Sequence, residues 1–521
     1  MPDQLPSPKR NSCGWIPLVI LLVCLCPIPY LYYRDYYGRQ VVSAALALLA
    51  FAVAGLWFCF FNRLPWKRKF LRVAIVGGIA LVAAGAAVSV VRYDGSRDGS
   101  SLPQFRFVWD KPKDALLPEL PGEAPAAGDL APAPDDAADW NGFLGETRLG
   151  TAPVAIDPDW AAHPPEELWR RPIGLGWSSF SVAGRRVLTQ EQRGDAEIVS
   201  CYDLVTGEPL WAHENQVRFS EPLGGDGPRA TPAFRDNRVY ALGATGILDC
   251  LDLQSGASIW TCHILDGRDN ITYGKAASPL LIGDQVIVTG GKGGPEIMAF
   301  AAADGAPLWQ AGDDDAAYAA PVHATLAGRE QILVVNGHSV AGFDPQGGGK
   351  LWSHPWPGKM PKVGQPVPVA PDRVLVSASY DQGAKLIRLT PSGDGFAAEE
   401  LWESNQLKTK FSTALVQGDH AYGLDEGRFA CISLADGERT WKDGRYGYGQ
   451  NLLVNGGSHI LVQTERGDVV LVETNPDELR EVARLEALTS GSKTWNAPAL
   501  AGAYLLVRND EEAACFRLKL K

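Results

Sequence analysis

Side chains able to do chemistry are present in this 521-residue chain but are poorly grouped. The eight histidines show no H-x-H or H-E-x-x-H spacing, so they offer no zinc site. No C-x-x-C-H run offers haem attachment. The cysteines beyond residue 200 are Cys201, Cys250, Cys262, Cys431 and Cys515, and none adjoins another. GKGG at 291–294 lacks the following helix that a phosphate loop needs, and reads as a turn between strands. Asp313-Asp314-Asp315 has the donor chemistry for Ca²⁺, although a charged loop between structural units explains it as well. What remains is a set of aromatic, basic and amide side chains, each just ahead of a short strand. They are Trp177, Arg229, Lys410, Gln450, Trp495 and Asn496. Carboxylates and cations such as Glu191, Arg193, Glu426, Glu465, Arg508 and Asp510 fall in turns between later strands. If the strands share one axis, these groups converge on a funnel able to bind a polar planar molecule or a cation.

The elements that position them repeat. YDLVTGEPLW (202–211), LDLQSGASIW (251–260), FAAADGAPLW (300–309), FDPQGGGKLW (343–352) and ISLADGERTW (432–441) are one unit, and 388–402 is the same unit with an insertion. With ELW at 167–169 included, the unit-ending tryptophans are Trp169, Trp211, Trp260, Trp309, Trp352, Trp402 and Trp441. Their spacing suits one four-stranded blade per repeat. Ahead of each unit lie a strand opening on Pro or a small residue, as in ATPAF (230–234), and a β-branched strand, as in DQVIVT (284–289). First strands begin near Ser178, Arg229, Ala277, Tyr318, Val363, Phe411, Asn451 and Trp495. That count predicts an all-β, eight-bladed propeller, with seven blades as the alternative. The last unit lacks a fourth strand, while 167–173 is a fourth strand without the first three. Pairing the two closes the ring and removes its open edges. The seventh unit has Leu485 where Trp is expected, and only 476–485 hints at helix.

The repeated A-x-D-x-x-T-G-x-x-x-W pattern resembles the docking repeat of the pyrroloquinoline quinone (PQQ) propeller superfamily, over about 169–521. The resemblance implies that the seven tryptophans are packed between blades as structural glue. It is closest in kind to membrane-tethered bacterial propellers, with the propeller lipoprotein of the outer-membrane assembly machine a further relative. For the quinoprotein dehydrogenases of the superfamily it implies PQQ in the funnel over a Trp and a Ca²⁺ held by carboxylate and amide. It also implies a disulfide of adjacent cysteines, an Asp base and a cation at the quinone oxygens. This chain has no adjacent cysteines. Cys201, Cys250, Cys431 and Cys515 share one repeat register, which reads as a small buried slot rather than a disulfide framework.

Charge divides the chain. The net charge is -12 over the whole chain. Residues 1–97 hold eleven basic and three acidic residues, and the remainder carries the excess of acid. An acidic domain repels phosphates, so nucleic acid is not an expected partner. Apolar runs at 15–33, 41–61 and 73–91 are each long enough to cross a bilayer. Two runs follow the first, which argues against a cleaved signal peptide. Arg63, Lys67, Arg68, Lys69 and Arg72 outnumber Arg34 and Arg39, so the positive-inside rule predicts a cytoplasmic N-terminus and an extracytoplasmic propeller. The expected plan is a three-helix transmembrane anchor (1–93) in the bacterial cytoplasmic membrane, a Pro/Ala/Asp-rich linker (94–139) and a propeller (140–521). The expected role is a non-catalytic scaffold with protein partners on its faces. A PQQ-dependent dehydrogenase using PQQ and Ca²⁺ and passing electrons to membrane quinone is the alternative.

Overall fold

The computed structural model describes residues 65–96, 103–110, 113–122 and 130–521, with isolated positions between 43 and 52. The chain divides into two compact units, Met1–Asp110 and Lys111–Lys521. In the first, helix Trp66–Val90 covers most of the third apolar run and leads into a two-stranded hairpin. Only part of the helix's side chains is described, and the first two runs lie mostly or wholly outside the described residues. Among the residues whose side chains are described, no helical stretch is long and apolar enough to cross a membrane.

The second unit holds eight four-stranded antiparallel sheets. Ser181–Ala183, Arg186–Arg193, Ala196–Asp203 and Pro209–Asn215 make blade 1, from axis to rim. The innermost strands of blades 2 to 8 are Ala233–Arg235, Leu280–Ile282, Val322–Leu326, Val367–Val369, Leu415–Gln417, Gln450–Val454 and Ala499–Ala501. Eight blades is therefore the right count. All but one of these strands start three or four residues later than the sequence suggests, because Pro and the small residues ahead of them belong to loops. The rim strand of blade 8 is Glu166–Pro172, paired with Glu512–Arg517 with Trp169 opposite Cys515. The two ends of the propeller close the ring as expected.

Each docking Trp follows a one-residue bulge in its rim strand, such as Cys201↔Trp211 followed by Tyr202↔Pro209. In most blades the bulge turns the indole toward the next blade, where it packs over the turn between that blade's third and fourth strands. Trp352 Nε1 donates instead to Gln331 Oε1 of its own blade at 2.6 Å, and Trp309 Nε1 to Gln285 Oε1 of its own blade at 2.8 Å. The indole Nε1 of Trp169 donates to Leu204 O, Trp211 to Leu253 O, Trp260 to Ala302 O, Trp402 to Leu434 O and Trp441 to Asn475 O, at 2.9–3.1 Å. The receiving turn is folded by its own Asp: Asp203 Oδ1 accepts from Val205 N and Thr206 N. Gly256 shows why Gly ends the turn. Its φ is +77°, and a Cβ there would stand 2.5 Å from the Trp211 ring.

Blade 7 breaks the pattern for a physical reason. Its bulge places Ala483 opposite Leu471, so Ala483 and not Leu485 holds the Trp register. A Trp there would dock on the turn between the third and fourth strands of blade 8. That turn does not exist, because those two strands are the opposite ends of the domain. Trp160, just ahead of the closing strand, is buried in the cluster against which Ala483 and Leu485 pack. The 476–485 stretch is not helical: Glu481–Glu486 is the rim strand, with Ala483 and Leu485 alternating inward.

The floor of the central channel is closed by a segment that no repeat marks. Trp140 pairs with Val182 of blade 1, and Asn141 exchanges hydrogen bonds with Phe234 of blade 2. Arg148 donates to Ser278 O and Pro279 O beside blade 3 at 2.8 and 2.7 Å. Ala152 N then bonds Leu453 O of blade 7, and Leu453 N bonds Gly150 O. One segment thus ties inner strands on opposite sides of the axis, making the channel a blind funnel.

Candidate functional site

In a four-stranded blade the loop before the first strand and the turn between the second and third lie on one face. That face is the funnel mouth, opposite the docking turns. The structure brings five of the six sequence candidates together there, across blades 6, 7, 8 and 1. Trp177 and Trp495 pack with centroids 4.7 Å apart, and Trp495 and Phe411 with centroids 4.5 Å apart. Lys410 Nζ lies 3.8 Å from the Tyr448 centroid and near Phe411 and Tyr380. Gln450 Nε2 donates to Phe411 O and Trp495 O, and Asn496 Nδ2 to Ser178 O and Gly176 O. These two amides are buried and fix the loops that carry the rings. Lys493, which the sequence reading passed over, stands 4.8 Å from the Trp495 centroid. Its position two residues before Trp495 was the available signal.

Arg229 is not part of this cluster. Its guanidinium bonds Gly225 O at 2.6 Å and Gly227 O, and sits 4.5 Å from the Phe219 centroid. Burial lowers its pKa to about 10. It shapes a loop that touches the cluster through Trp177 Nε1, which donates to Gly224 O at 2.6 Å. Tyr273 and Tyr318 continue the aromatic rim beyond that loop, their rings 5.6 Å apart. Trp177, Tyr273, Tyr318, Tyr380, Phe411 and Tyr448 are half-buried, whereas Lys410 and Trp495 lie beneath them.

The acidic groups of this face are engaged in bracing. Glu465 accepts from Trp495 Nε1 at 2.9 Å and from Tyr448 N at 3.1 Å. Glu426 accepts from Ser379 Oγ at 2.5 Å. Burial pushes the Glu191 carboxyl up, but Arg193, Arg508 and hydrogen bonds from Tyr202 and Ser200 hold it below the usual glutamate range. Arg508 bonds Thr189 Oγ1, Gln190 O and Gly174 O, stapling blade 8 to blade 1. Asp510 binds Lys113 at 2.9 Å, and Asp114 binds Arg218 at 3.1 Å. The described stretch 113–122, which composition marks as free spacer, is therefore docked on the propeller. Lys275 is fully buried beside the mouth; its Nζ donates to Thr289 Oγ1 and Gly290 O, and burial lowers its pKa to about 7.

Other candidates are structural. Asp314 accepts from Ser339 Oγ and His338 N, bracing the 336–339 turn, and Asp315 Oδ1 accepts from Gly293 N, bracing the GKGG turn. Among the described residues no group of three or more His, Cys, Asp or Glu is arranged to hold a metal. Cys201, Cys250, Cys431 and Cys515 are buried opposite Trp211, Trp260, Trp441 and Trp169, and burial pushes every one of these thiols up.

The resemblance implies a quinone held between a Trp and a disulfide of adjacent cysteines. The mouth rings instead cover one another, with planes inclined 41° at Trp177–Trp495 and 42° at Phe411–Trp495. The described cysteines are all free, so the disulfide face is missing and the residues present do not fit PQQ in the manner the resemblance implies.

Comparison with known proteins agrees with the blade architecture. The model of the PQQ_2 family, described as outer membrane protein assembly factor BamB, matches residues 162–318, 194–443 and 336–504. The outer membrane protein assembly factor BamB of Xanthomonas campestris pv. campestris is 28% identical over 148 residues, which is 28% of this chain and 34% of that protein. The match thus spans about a third of the curated relative's length. A quinohemoprotein alcohol dehydrogenase from Comamonas testosteroni superposes with a TM-score of 0.55 at 11% identity, covering 74% of this chain and 81% of the other. A europium-containing methanol dehydrogenase gives 0.53 at 11% identity, covering 73% and 98%. These two likenesses concern the fold.

Proposed function

We propose a docking role for this chain, which belongs to the PQQ_2 family, the family described as outer membrane protein assembly factor BamB. The chain is a non-catalytic assembly scaffold whose propeller holds a protein partner at its mouth. The observation that carries this reading is the half-buried aromatic rim of Trp177, Phe411, Tyr448 and Tyr380 over Lys410, next to Lys493. Rigid Trp and Tyr side chains flanked by cations are the composition of interface hot spots, since they cover area with little entropy to lose. Kinship with an assembly factor makes a component of outer-membrane protein assembly the partner class. The floor closed by 140–156 leaves the mouth as the approach to the axis.

The scaffold is anchored in the bacterial cytoplasmic membrane by three helices, with the N-terminus cytoplasmic and the propeller extracytoplasmic. Three apolar runs and the basic cluster at 63–72 support this topology. Periplasmic reporter activity at the C-terminus of the full chain, absent at residue 64, is the expected result; the reverse pattern refutes the orientation.

The dehydrogenase alternative is disfavoured because the chain has no pair of adjacent cysteines and its described cysteines are all free. Full chain in detergent, titrated with PQQ and Ca²⁺, should show no saturable fluorescence quenching and no dye-linked oxidation of alcohols or sugars. Saturable binding with turnover overturns the scaffold.

A further inference from the structure

The N-terminal unit ends in a small amphipathic hairpin. Helix Trp66–Val90 runs into strand Val91–Ser96, which pairs with Pro103–Phe107. Val91 is opposite Phe107, Arg92 opposite Arg106 and Tyr93 opposite Phe105. Val108 N donates to Val90 O at 2.9 Å, pinning the base of the hairpin to the last helical residue. Side chains alternate along a strand, so Phe105 and Phe107 share one face and Arg106 takes the other. Trp109 stacks on Phe107, centroids 4.7 Å and planes 7° apart. Asp110 holds this turn: its Oδ2 accepts from Phe107 N, and its carbonyl accepts from Arg106. Phe105, Phe107 and Trp109 are 59, 48 and 64% exposed.

We propose that this aromatic face lies in the headgroup–acyl boundary of the bilayer, with Arg92 and Arg106 toward anionic lipid phosphates. The inference rests on the reading of 73–91 as a membrane span. A 25-residue helix is about 37 Å long, against a hydrocarbon core of about 30 Å. If its basic N-terminal turn marks one boundary, Val90 reaches the other, and the pinned hairpin sits at interfacial depth. Trp and other aromatics favour that depth, and arginine complements anionic headgroups.

The test places the photocrosslinker p-benzoylphenylalanine at position 107 of the full chain, reconstituted in nanodiscs of phosphatidylethanolamine and phosphatidylglycerol. Illumination and mass spectrometry should yield lipid adducts at 107 at least roughly tenfold above those from position 419 on an exposed propeller turn. Adducts only to protein, or yields equal at both positions, overturn the proposal. Carbonate washing of native membranes separates it from the anchor reading. A chain that is retained but gives no lipid adduct sinks the hairpin alone; a chain that washes off sinks both.

Discussion

Two sets of aromatic residues in one propeller behave differently. The docking tryptophans recur at one register and follow one kind of bulge, and most of them meet one kind of turn in the next blade, Trp352 being the exception. The rim aromatics Trp177, Phe411, Tyr448 and Trp495 sit at the other face, follow no repeat motif, and pack on one another rather than into a neighbouring blade. Periodicity therefore separates glue from surface. Trp160 marks the limit of that rule. It is aperiodic, yet it is buried beside Ala483 where blade 7 lacks its Trp.

The comparison breaks most severely if the ring can open without penalty. Deleting Glu166–Pro172 should abolish cooperative unfolding of the propeller, because it exposes two edges and removes Trp169. An unchanged melting curve by circular dichroism contradicts the closure. Next in size, Trp211→Ala should cost about 3–5 kcal/mol by urea denaturation, since the indole is fully buried. Trp160→Ala should cost about 3 kcal/mol in the same measurement, despite its lack of periodicity. A neutral result there returns blade 7 to an unfilled seam.

Lys275 sharpens the comparison through pH. Its folded pKa is about 7 against an ordinary 10.5. Between those values the unfolded chain binds the extra proton, so stability rises as pH rises through that window and levels off below it. Lys275→Met should raise stability at neutral pH by about 1–4 kcal/mol and remove this slope, read by denaturation at several pH values. The smallest stability effect belongs to the rim. Trp177→Ala should cost about 1 kcal/mol or less, because its ring is only half-buried, while weakening partner binding.

Much of the fold was legible because its rules are local. A turn that needs Asp, Thr and Gly, and a Trp eight residues beyond the Asp, leave the same residues in blade after blade. The closing strand was legible because ELW carries the same rim signature. The floor was not. Residues 140–156 obey contacts with several blades at once, and positive φ at Leu144 and Arg148 has no sequence mark. Ala483 was missed because counting from the motif ignores the bulge that sets the register. Of the site, clustering at the mouth followed from topology. The diversion of Arg229 to backbone carbonyls did not, since it depends on a loop at 219–227 whose path no repeat specifies.

The central claim is that the mouth receives a protein. The direct measurement is in-cell photocrosslinking from p-benzoylphenylalanine at position 493, on the rim, compared with position 308, an exposed residue of a rim strand on the side of blade 3. A discrete protein adduct from 493, belonging to outer-membrane protein assembly and absent from 308, is the predicted result. No adduct from 493, or the same adducts from both positions, contradicts it.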